Sequence, residues 1–179
     1  MEEQNIPKSF WGDAARAGGV AGVALVALML IISSVQAKSA SLIVDSISHW
    51  TEFFIIFMSI LLFGKMRAAK YGAAGFTYGQ SIGYTAAMML FAGFLYGLGM
   101  FITFRYVDPA QMQQMIAVNT RAYTAIYGSA PGEDILDRMR AMYGSPVFYA
   151  FAGIAGMLVY GLFVSLFVSV FVRTPQRRA

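Results

Sequence analysis

Residues 146–172 read PVFYAFAGIAGMLVYGLFVSLFVSVFV, a run without one charged side chain that closes on Arg173. A helix rises about 1.5 Å per residue, so this run exceeds the roughly 20 residues that a hydrocarbon core of about 30 Å demands. Two further runs have the same character, at about 17–35 and about 81–104, the latter closed by Arg105. Composition agrees with a membrane chain. Apolar residues make up 58% of the 179 and charged residues 12%, about half the charged share of a soluble domain.

A fourth run, about 42–64, is less uniform. Its inner part, 53–63, is uncharged but too short to span alone, and its outer part carries Asp45, His49 and Glu52. Either the segment is re-entrant or these polar groups enter the membrane region. Counting back about 20 residues from Lys65 reaches Asp45 at the far interface, with His49 just inside and Glu52 deeper. A full span is expected. The fold class is therefore all-α: one membrane domain, 1–179, with spans at about 17–35, 42–64, 81–104 and 146–172.

Basic residues set the orientation. Lys8, Arg16, Lys65, Arg67, Lys70, Arg173, Arg177 and Arg178 share one side, eight of the 13 Lys and Arg. The other side holds Lys38, Arg105, Arg121, Arg138 and Arg140. By the positive-inside rule both termini are expected in the cytoplasm. The net charge of +4 lies at span ends, which suits anionic headgroups and not nucleic acid. Val35-Gln36-Ala37 and Ser39-Ala40 loosely match a signal-peptidase site. The preceding segment holds Glu2, Glu3 and Asp13, unlike a short basic leader, so an uncleaved first helix is expected.

The outer loop, 105–145, reads as two amphipathic helices. Asp108-Pro109 gives an N-cap and a proline at the first helical position. Met112, Met115, Ile116 and Tyr123 then form an apolar face, the candidate partner-binding surface, and Gly128 ends the helix. A second helix runs from about Glu133 to Tyr143, with acids at its start and Arg138 and Arg140 later. The plainer role for the pair is a cap over the bundle.

Asp45, His49 and Glu52, spaced by four and three residues, fall on one helix face. Such a stripe suits an ion or proton path, and Glu52 is the residue on which any such site would depend, because intramembrane charge is costly. The plainer reading has Asp45 and His49 at the interface and Glu52 bonded to Tyr or Ser across the bundle. Metal is not expected, because the other spans supply no second His, Cys or acid. With no cysteine, thiolate metal sites, disulfides and thiol nucleophiles are excluded. No hydrolase, metalloprotease or phosphate-loop motif is present, so neither an enzyme nor a cofactor is expected. Gly18-x-x-x-Gly22, Gly79-x-x-x-Gly83, Gly93-x-x-x-Gly97 and the series Gly153, Gly156, Gly161 offer close helix packing, within the chain or between copies.

The basic turn, then Gly75-Phe76-Thr77-Tyr78-Gly79-Gln80 running into a glycine-rich span, the Asp-Pro helix rich in Met and Gln, and the Gly-Ser-Pro lead into the last span form a recognisable layout. It resembles the bacterial four-span membrane proteins grouped as domain of unknown function 4199. The resemblance implies the inner membrane of a Gram-negative bacterium and a retained first span, and it implies no activity. The expected role is a non-catalytic accessory or scaffold component, whose partners are the bilayer, other membrane proteins or a second copy. The alternative is a small transporter or channel with its path at Glu52 and His49.

Overall fold

A computed structural model describes residues 9–36 and 42–174. Six α-helices follow one another: α1 (Phe10–Gln36), α2 (Leu42–Ala69), α3 (Tyr78–Ile102), α4 (Pro109–Tyr127), α5 (Glu133–Tyr143) and α6 (Pro146–Val172). A 3-10 turn, Gly72–Ala74, precedes α3, and a π-helical turn, Thr103–Val107, prolongs it. Four of these segments are long and apolar enough to cross a membrane. The second is one continuous helix, as the full-span reading expects.

The spans form a ring in the order α1, α3, α6, α2. Helix α3 packs along both α1 and α6, whereas α2 lies against α1 and α6 and meets α3 only slightly. Close approach along α3 depends on glycine. A Cβ at Gly97 would collide with the carbonyl oxygen of Tyr149, and one at Gly93 would lie 2.7 Å from the Gly153 carbonyl oxygen. Gly18 and Gly22 perform the same service where α1 meets α3, and Gly161 admits Met89. Gly79, Gly83 and Gly156 have open space around them instead. Between lipid-facing helices such contact supplies attraction that apolar burial cannot, because lipid tails are equally apolar.

The starts of α1 and α3 and the ends of α2 and α6 lie together, at what we call the terminal end. The turn before α3 is pinned there: Gly75 takes a φ of 74°, and Phe76 pairs with Thr174 beyond α6 in an isolated antiparallel bridge. Thr77 then starts α3 with a reciprocal capping box. Its hydroxyl accepts from the Gln80 amide, and the Gln80 side chain accepts from the Thr77 amide at 2.8 Å. Thr77→Ala is expected to cost about 1 kcal/mol of stability, read as a lowered unfolding midpoint in detergent.

At the opposite, loop end, α4 and α5 sit over the bundle less fully than a packed cap would. No residue of α4 is buried, and Ile126 and Tyr127 are exposed. Met112, Met115, Ile116 and Tyr123 are half-buried. Asn119 donates to the Tyr143 hydroxyl at 2.8 Å and ties the two helices. Asp108 occupies the N-cap position, but its side chain makes no capping bond. Gly128 ends α4 in the left-handed conformation, as its sequence position predicts.

Candidate functional site

The inward stripe of α2 carries the site. His49 and Glu52 lie towards the loop end, Ile56 and Ile60 follow one and two turns further on, and Arg67 closes the stripe at the terminal end. Ile56 and Ile60 are fully buried, and Arg67 is 1% exposed. Fifteen residues separate Glu52 from Arg67, about 22 Å along a helix. One stripe thus joins a polar section, a buried apolar section and a buried cation.

Around Glu52 the ring is slack, because α2 and α3 barely touch. Two adjoining cavities result, of about 420 and 440 Å³, and both are lined by His49, Glu52, Tyr96 and Met100. The first adds Ser33 from α1, Ser48 from α2 and Gln111 from α4. The second adds Tyr160 from α6. The phenol of Tyr96 and the Glu52 carboxylate line both cavities together, and Tyr160 joins them in the second. A carboxylate inside a membrane needs such donors to be tolerable.

The structure therefore brings His49 and Glu52 together and surrounds them with polar groups from α1, α3, α4 and α6. The side chain of Asp45 lies outside the described residues. Among those residues no cluster of three His, Cys, Asp or Glu could hold a metal. Towards the terminal end, Ile56 and Ile60 of α2 and Met88 and Met89 of α3 are all buried. The π turn Thr103–Val107 lies at the cavity mouth, with Phe104 in the lining.

A second constellation escaped the sequence reading. Asp13 of α1 accepts 2.6 Å contacts from both Arg67 and Lys70, and a 3.1 Å bond from the Ser9 hydroxyl. The rings of Phe10, Tyr71 and Tyr84 surround the Arg67 guanidinium, with centroids 5.5–5.9 Å from its central carbon. These faces attract a cation and exclude water. The available signal was Asp13, an acid just ahead of an apolar run and within reach of a basic turn.

Four helices long and apolar enough to span, with polar cavities at Glu52, define a multi-pass α-helical membrane protein with an internal carboxylate. The chain belongs to the family described as protein of unknown function DUF4199, whose sequence model matches residues 16–174. Neither a curated protein nor a solved structure matches the chain.

Proposed function

We propose that the protein is a non-catalytic membrane carrier for a small monovalent cation, either a proton or a protonated amine, bound at Glu52. The supporting observation is convergence: Ser33, Tyr96, Gln111 and Tyr160, from four different helices, line two adjoining cavities that share His49 and Glu52. A single carboxylate with neutral donors matches one positive charge. A divalent ion wants more oxygen ligands, usually with several carboxylates. Buried Ile56, Ile60, Met88 and Met89 lie on the terminal side of Glu52 and favour a carrier over an open channel. The basic residues gathered at the terminal end favour both termini in the cytoplasm of a bacterial inner membrane, so the cavity would open outward.

Reconstitution tests this reading. Proteoliposomes containing a pH-sensitive dye should dissipate an imposed proton gradient when small ammonium compounds are added. Glu52→Gln should slow that exchange at least about tenfold while unfolding no earlier than wild type, because it removes an intramembrane charge. If wild type, Glu52→Gln and empty liposomes behave alike across a panel of monovalent cations, the carrier reading fails.

The accessory-component reading rests on a different observation, the exposed apolar side chains of α4 such as Ile126 and Tyr127. Purification in mild detergent followed by mass spectrometry tests it. A stoichiometric partner that is lost on changing this face would favour the accessory role.

A further inference from the structure

The groove between α1 and α2 at the terminal end has more positive charge than the fold uses. Arg16, Arg67 and Lys70 line it, with Asp13 as their acid, in a cavity of about 230 Å³. One Asp13 oxygen, Oδ2, serves both Arg67 and Lys70. Three cations against one carboxylate leave a local excess of two positive charges. Arg16 has no ion pair among the described residues. Arg67, 1% exposed, keeps Nε and Nη2 buried without a hydrogen-bond partner among those residues. Charge held at a membrane boundary in this way calls for an anion.

The groove also specifies what the anion is attached to. Beyond the cations its walls turn apolar, through Val20, Phe63 and Met66. Val20 and Met66 are exposed and point along the sides of spanning helices. A free phosphate would satisfy only the charged section. A phosphate oxyanion joined to an acyl chain satisfies both.

We propose that this groove is a binding site for an anionic phospholipid. Arg16 and Lys70 meet the headgroup phosphate. Lys70 is 49% exposed, and its ammonium retains donors after serving Asp13. Arg67 sets the positive field beneath the phosphate without touching it. Val20, Phe63 and Met66 carry the first part of the acyl chain. A net negative headgroup is preferred over a zwitterionic one, because a choline or ethanolamine cation would meet the same excess positive charge.

Native mass spectrometry of the delipidated full-length protein provides the test, with phosphatidylglycerol, phosphatidylcholine of equal chain length and inorganic phosphate as ligands. Wild type should retain phosphatidylglycerol at concentrations at least about tenfold lower than phosphatidylcholine. Arg16→Gln with Lys70→Gln should abolish that preference, and Arg16→Gln alone should weaken it should the double variant fail to fold. Lys65→Gln with Arg173→Gln, two exposed cations outside the groove, should leave it intact. The proposal is overturned if the groove variants keep the wild-type preference. It is equally overturned if both pairs of substitutions reduce it alike, or if inorganic phosphate binds as well as the lipid.

Discussion

Gly97→Val should part α3 from α6 and leave a protein that does not survive extraction in mild detergent as a monodisperse species. The reason is positional. The Cβ of any side chain at Gly97 would collide with the Tyr149 carbonyl oxygen and lie 2.9 Å from the Ala150 Cα. Both are backbone atoms of α6, so relief requires moving a whole helix instead of one rotamer. Overpacking usually costs about 1–3 kcal/mol, and a backbone obstacle places this variant at or above the upper limit. Gly156→Ala supplies the control, since nothing lies within 4 Å of the added carbon; it should change stability by less than about 0.5 kcal/mol. Thermal unfolding followed by size-exclusion chromatography distinguishes them. Equal midpoints would mean that the glycine seam does not hold α3 to α6.

The second large effect is asymmetric. Asp13→Asn is expected to destabilise by about 3 kcal/mol or more, while Arg67→Met costs less. Asp13 is 17% exposed, whereas Arg67 is 1% exposed within its aromatic cage. Removing the carboxylate strands a guanidinium that cannot reach water. Removing the guanidinium leaves Asp13 paired with the half-exposed Lys70. Their combination should then be more stable than Asp13→Asn alone, the signature of direct coupling. A double variant less stable than either single change would show that the two residues act independently.

Legibility differed between elements for physical reasons. The last span, 146–172, matches α6 at both ends because an uncharged run bounded by proline and arginine leaves no choice of limits. The first helix begins at Phe10 instead of about 17. Asp13 and Arg16 read as a polar tail, since what neutralises Asp13 lies 54 and 57 residues away. Hydrophobic periodicity registers neighbours along the chain, not partners across it. The same limit applied at the cavity. The spacing of His49 and Glu52 was visible, and their shared face followed from helix geometry. Ser33, Tyr96, Gln111 and Tyr160 carried no mark separating them from the other hydroxyls and amides. In α4 the capping residue was correctly located, but Asp108 makes no side-chain capping bond.

The ring order has a consequence for biogenesis. Synthesis proceeds α1, α2, α3, α6, whereas the ring runs α1, α3, α6, α2. Helix α2 therefore emerges second but gains its second flanking neighbour only when the final span leaves the ribosome. Until then Glu52 lacks Tyr160, and the wall that encloses it is missing. A nascent chain halted in the loop between α3 and α6 would hold its costliest side chain towards lipid. The committing event of assembly is thus the arrival of α6, and translation products truncated before residue 146 should be cleared by membrane proteases far faster than the finished chain.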